Sequence, residues 1–84
     1  MTASIRIFIA DDHPVVRDGL AAVLSTQPAF DVVGEAASGR EVLDQAARLA
    51  PDVLLLDLEM PELDGVETLK LLREQYRPLR VIVF

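Results

Sequence analysis

The chain of 84 residues has room for one small domain, and 51% hydrophobic with 26% charged residues is the balance of a globular fold rather than a disordered segment. A net charge of −6 discourages direct nucleic-acid binding, and the lack of cysteine excludes disulfides and thiolate metal sites. Arg6 interrupts the first apolar run and no stretch has the length of a membrane span, so neither signal peptide nor membrane anchor is read, and a cytoplasmic location is the default expectation.

Ile5-Arg6-Ile7-Phe8-Ile9-Ala10 is β-branched and mostly apolar, and it runs into Asp11-Asp12 as a first strand ending in acid. Pro14 suits the first turn of a helix, and Val16, Leu20, Val23 and Leu24 recur at helical spacing as far as Thr26, before Gln27-Pro28. Phe30 to Ala36 has short-strand character centred on Val32 and Val33. Ser38 and Glu41 form a capping-box pattern ahead of Val42, Leu43, Ala46, Ala47 and Ala50, a second amphipathic helix stopped by Pro51-Asp52.

Val53-Leu54-Leu55-Leu56 is an apolar run without alternation, as in a strand covered on both faces, and Asp57 ends it. After Met60-Pro61, Asp64 and Glu67 predict the capped start of a third helix marked by Val66, Leu69, Leu72 and Tyr76. Pro78 precedes a fourth strand at Arg80-Val81-Ile82-Val83-Phe84. The order β-α-β-α-β-α-β, with short connections and no linker or repeat, predicts an α/β fold in which helices cover both faces of a parallel sheet. Residues 1–84 are read as one unit.

In a doubly wound sheet of the flavodoxin kind, strands one and three flank the topological switch point. Neighbouring strands lie roughly 4.8 Å apart, so Asp11, Asp12 and Asp57 converge at one sheet edge. Clustered carboxylates stay ionised cheaply only beside a cation, and hard oxygen donors favour Mg²⁺ or Mn²⁺ over zinc. Magnesium usually bridges to phosphoryl oxygens, and one carboxylate of such a site can be the nucleophile that forms an aspartyl phosphate. Asp57 is the candidate. His13 is read as a loop residue rather than a ligand, and Glu62 as a solvated acid. Arg73, Arg77 and Arg80 are too few for a nucleic-acid patch.

The Asp11-Asp12 pair, the run Leu56-Asp57-Leu58-Glu59-Met60-Pro61-Glu62-Leu63-Asp64-Gly65 and the element order resemble the receiver domain of bacterial two-component response regulators. The segments from Ala10 to Leu20 and from Val33 to Ala36 further resemble the subfamily whose receivers precede a LuxR-type helix-turn-helix. The resemblance implies that Asp57 accepts a phosphoryl group from a sensor histidine kinase. It also implies that Asp12, Asp57 and the Glu59 carbonyl bind Mg²⁺, with Asp11 acting through a water. The Glu59 side chain would face the incoming nucleophile, and helix one, with Val15, Val16 and Leu20, would meet the kinase. A receiver of this kind is not an enzyme acting on free substrates, and its parent would regulate transcription through a separate DNA-binding domain.

Relative to the family the chain stops at Phe84, ahead of the switch Ser or Thr, the strand-five Lys, and helix four, strand five and helix five. The expectation is an incomplete flavodoxin-like sheet that is phosphorylated poorly and binds Mg²⁺ weakly. Strand four, with Val81, Ile82 and Val83, would then carry an unpaired edge through which copies associate as a homo-oligomer. A phosphorylation-independent assembly module is the alternative reading. A Mg²⁺-dependent phosphohydrolase has less support, because no second Asp follows Asp57 at two-residue spacing.

Overall fold

The structure is a computed structural model that describes residues 4–57, 60, 70, 73, 74 and 80–84. Its elements are β1 (Ile5–Ala10), α1 (Pro14–Leu24), β2 (Phe30–Ala36), α2 (Gly39–Leu49), β3 (Val53–Leu56) and β4 (Arg80–Val83). All pairings are parallel and the strand order is β2-β1-β3-β4, the flavodoxin-like order expected. Lys70, Arg73 and Glu74 are helical; the rest of the expected third helix, with its Asp64 and Glu67 cap, lies outside the described residues.

The chain leaves β1 toward β2 and then crosses back over β1 to reach β3. Right-handed crossovers in opposite directions put α1 and α2 on opposite faces. On one face Phe8 and Ala10 of β1, Leu54 and Leu56 of β3, and Ala36 pack with Val42 and Ala46 of α2 and with Met60. Ile7 and Ile9, at the alternate positions of β1, are buried on the other face. β1 is therefore the covered central strand. In β3 burial alternates, Val53 and Leu55 being half-buried, so this run is less enclosed than its unbroken apolar sequence suggests.

The predicted capping box forms with a one-residue shift. Ser38 Oγ accepts the Glu41 N–H at 3.3 Å, while the Glu41 carboxylate accepts the N–H of Ala37, at 2.8 Å, rather than that of the cap residue. α2 ends at Leu49, and Ala50, expected on the apolar stripe, is an exposed C-cap in the left-handed region at φ 47°. A left-handed residue turns the chain out of the helix toward Pro51, which cannot continue it.

α1 also departs from expectation. It ends at Leu24, where the Ser25 N–H bonds to Ala21 and the Thr26 hydroxyl caps the Val23 carbonyl at 2.7 Å. None of its residues is fully buried. Leu20 and Leu24 are half-covered, while Val16 and Val23, predicted for the core, are 40% and 68% exposed. Among the described elements α1 packs mainly on β1 and β2, which cover one edge of the apolar stripe.

Two backbone features keep the sheet in place. Asp52 accepts the Arg6 N–H at 2.8 Å, and the Arg6 guanidinium donates to the Leu49 carbonyl at 2.6 Å, which ties the start of β1 to the turn before β3. The β1–β2 register slips between Ile7 and Phe8, so Gly34 lies opposite Phe8. A Cβ at Gly34 would stand 2.6 Å from Leu49 Cδ1 and 3.0 Å from the Phe8 ring, so any larger residue there makes its neighbours shift.

Candidate functional site

The site is assembled by strand register. Ala10 pairs with Leu56, so the first residues past β1 and β3 emerge side by side. The Asp57 N–H donates to the Ala10 carbonyl at 2.9 Å, and the Asp11 N–H donates to the Ala36 carbonyl at 3.0 Å. The ladder thus runs one bond beyond each strand and fixes both acidic residues at the carboxyl edge of the sheet. Asp11 is 2% exposed and Asp57 8%.

Asp11, Asp12 and Asp57 come together as predicted, and His13 joins them. One ligand atom from each of the four residues can be chosen so that all lie within 4.8 Å of one another. Asp11 Oδ1 accepts two hydrogen bonds from His13, from its backbone N–H and from ring Nδ1, both at 2.8 Å. The same Nδ1 lies 3.0 Å from Asp12 Oδ1. A ring nitrogen carries one hydrogen, and here it points to Asp11. Asp12 Oδ1 is therefore buried with no hydrogen-bond donor of its own.

His13, expected as a loop residue, is one: it lies just before α1, and what the sequence reading did not show is that its ring packs against the acidic pair. A signal was available: a residue before proline is held in the extended region, and His13 has φ −96° and ψ 110°. With the chain extended there, the ring turns back over the acidic pair. Its hydrogen bond to Asp11, then the charge of Asp12, raise its pKa above the usual 6.5. Arg17 of α1 donates to the Asp11 carbonyl at 2.5 Å, and its Nε lies 3.6 Å from the Glu35 carboxylate, pinning the first turns of the helix beside the site. Glu59, the fourth expected ligand position, lies outside the described residues.

The arrangement suits a cation. Carboxylates packed this closely repel one another, and a buried oxygen without a donor, Asp12 Oδ1, is what a positive ion would satisfy. The described residues that fit the role are Asp11, Asp12 and Asp57, with His13 at the rim.

The family model of the response regulator receiver domain matches residues 7–84. The chain belongs to this family. Among curated relatives, this receiver is 45% identical over 78 residues to the nitrate/nitrite response regulator protein NarL of Escherichia coli K12, a match that covers 93% of the chain and 36% of NarL. Among solved structures, the signal receiver domain of the putative response regulator NarL from Mycobacterium tuberculosis superposes with a TM-score of 0.88 at 37% identity, covering 96% of this chain and 65% of that one. The isolated REC domain of RcsB from Salmonella enterica serovar Typhimurium, solved in the presence of phosphomimetic BeF3⁻, superposes with a TM-score of 0.89 at 31% identity, covering 95% and 60%. The receiver thus spans little more than a third of NarL, and its relatives of the NarL type are regulators. Among the described residues, no helix is long and apolar enough to cross a membrane.

Proposed function

We propose that this receiver takes a phosphoryl group on Asp57 from a sensor histidine kinase, with a divalent cation, Mg²⁺ or Mn²⁺, held by Asp11, Asp12, Asp57 and the backbone of Glu59. The observation that carries the reading is the register of β1 and β3, which brings Asp57 against the acidic pair at the switch point of the sheet. The phosphomimetic named with the RcsB domain supports the same chemistry.

An Asp57 carboxylate oxygen attacks phosphorus in line as the bond to the donor imidazole breaks, and the electron pair leaves with that nitrogen. The ladder bond to Ala10 holds the attacking residue in place, and its near-complete burial limits water around the acyl phosphate. The cation, when bound, offsets the charge of the carboxylates and of the phosphoryl oxygens. Asp11 is fixed by two hydrogen bonds from His13 and would act on the site through the cation or a water. Val15, 83% exposed at the start of α1, supplies an apolar contact beside the site for the kinase phosphotransfer domain. The parent protein would use the phosphoryl group to control transcription through a separate domain.

The test is intact mass after incubation with acetyl phosphate and Mg²⁺. One phosphate gained by the wild type and none by Asp57→Ala supports the reading; a folded wild type that gains none overturns it. Light scattering on the same samples reads association along β4, where Ile82, Val83 and Phe84 are about half exposed.

A further inference from the structure

We infer that Arg17 is a positioning residue for the acidic site: its guanidinium, braced on Glu35, holds the peptide plane between Asp11 and Asp12 and so sets where the Asp12 carboxylate meets a cation. The inference rests on the reading of the pocket as a phosphoryl and cation site and adds what holds its acidic pair in place.

The first observation is how the polar groups of Asp11 are used. Its N–H donates to the Ala36 carbonyl at 3.0 Å, and its carboxylate accepts from His13. Its carbonyl is the remaining group, and Arg17 Nη1 donates to it at 2.5 Å. A peptide unit is planar, so a bond that holds this carbonyl also orients the Asp12 N–H and fixes the Asp12 Cα. Asp12 needs such a hold, because it lies two residues past Ala10, the end of β1.

The second observation is how Arg17 comes to be there. Helical side chains lean toward the N-terminus of their helix, so Arg17, one turn into α1, reaches back over the connection from β1. The side chain is 18% exposed, and its Nε lies 3.6 Å from Glu35 Oε1. Glu35 is within reach because of the slip between β1 and β2. Unbroken pairing from Ile7 and Val32 would set Glu35 opposite Ala10, on the face that packs with α2. The slip sets it opposite Ile9, on the other face, which is that of α1.

The third is the chemistry of the side chain. A guanidinium presents donors in fixed directions and can serve a carbonyl and a carboxylate together, whereas an ammonium is a point charge on a flexible stem. The positive charge itself opposes metal binding nearby. If charge alone mattered, removing Arg17 would tighten a bound cation; if Arg17 positions Asp12, removing it weakens the cation. The sign separates the two.

The experiment is NMR titration of the chain with Mg²⁺ for the wild type, Arg17→Gln and Arg17→Lys, with circular dichroism to verify folding and ¹⁵N relaxation on metal-free samples. Arg17→Gln is expected to weaken Mg²⁺ by about tenfold, and Arg17→Lys, which keeps the charge, by about threefold. Without metal, the order parameter of the Asp12 N–H should fall from about 0.85 in the wild type to about 0.6 in Arg17→Gln, with a smaller fall in Arg17→Lys. Unchanged or tighter Mg²⁺ binding in either folded variant, or an equally rigid Asp12 N–H in both, would overturn the inference. A lowered melting temperature with neither quantity changed is a structural role only and overturns it as well. A wild type that binds no Mg²⁺ refutes the cation reading instead, and the order parameter, measured without metal, then decides the role of Arg17.

Discussion

The backbone N–H of Asp57 is bonded to the carbonyl of Ala10 at 2.9 Å, one rung past the last paired residues of β3 and β1. That rung is a main-chain bond that sets Asp57 beside Asp11, so the acidic site is a property of strand register. A slip of one residue would turn the acidic side chains to opposite faces.

Asp12 tests the electrostatics of the pocket. Its buried Oδ1 accepts no hydrogen bond and sits among other carboxylates, so at pH values where His13 is neutral and its attraction to Asp12 is gone, Asp12→Asn should stabilise the metal-free chain by about 1 kcal/mol. The same change should remove most of the rise in melting temperature that Mg²⁺ produces in the wild type. Thermal melts with chelator and with Mg²⁺ give both quantities.

His13 should make stability depend on pH in the metal-free protein. Its pKa is raised by the hydrogen bond to Asp11 and the charge of Asp12, so the folded state binds the proton more tightly than the unfolded chain does. The contribution is fully present below the unfolded value near 6.5 and disappears as pH rises through the raised folded value. The melting-temperature difference between wild type and His13→Gln should therefore shrink with rising pH across that window, and NMR titration of the single imidazole should give a midpoint above 6.5.

Gly34→Ala should destabilise the sheet by about 1–2 kcal/mol. The new methyl would stand 2.6 Å from Leu49 Cδ1, a side-chain end that can turn aside, and 3.0 Å from the Phe8 ring, which is fully buried and cannot. Denaturant melts should show the loss, and adding Leu49→Ala should not restore it, because the Phe8 contact remains.

Ala50→Gly should stabilise the chain by about 1 kcal/mol. Ala50 holds the left-handed C-cap position at φ 47°, where a Cβ is strained and glycine is not. Chemical denaturation of the single variant measures it, and no change in metal binding is expected, since the residue lies outside the acidic cluster.

Much of the fold was legible because it is written in local patterns. The β-branched run from Ile5 to Ala10, the capping pair Ser38 and Glu41, and proline at the start of α1 each act through neighbours a few residues away, and the boundaries of β1 and β2 match the structure. The alternation of strands and helices, with acid after β1 and β3, then pointed to one edge of a parallel sheet. The positions misjudged are those where periodicity is silent about what lies opposite. Val16 and Val23 of α1 have helical spacing but too little sheet beneath them, and Ala50 has the residue type of a helix but the backbone of its end.

The sequence by itself determined which residues are strands, which are helices and which acids end the strands, because these depend on side-chain branching, caps and periods of two and 3.6. Only the tertiary structure decided the pairing of Ala10 with Leu56, the slip that places Gly34 on Phe8, and the turn of His13 onto Asp11 and Asp12. The first two are contacts between segments, whose geometry follows from hydrogen-bond register and steric fit; the third is a short-range contact that Pro14 favours but that periodicity and capping patterns do not encode.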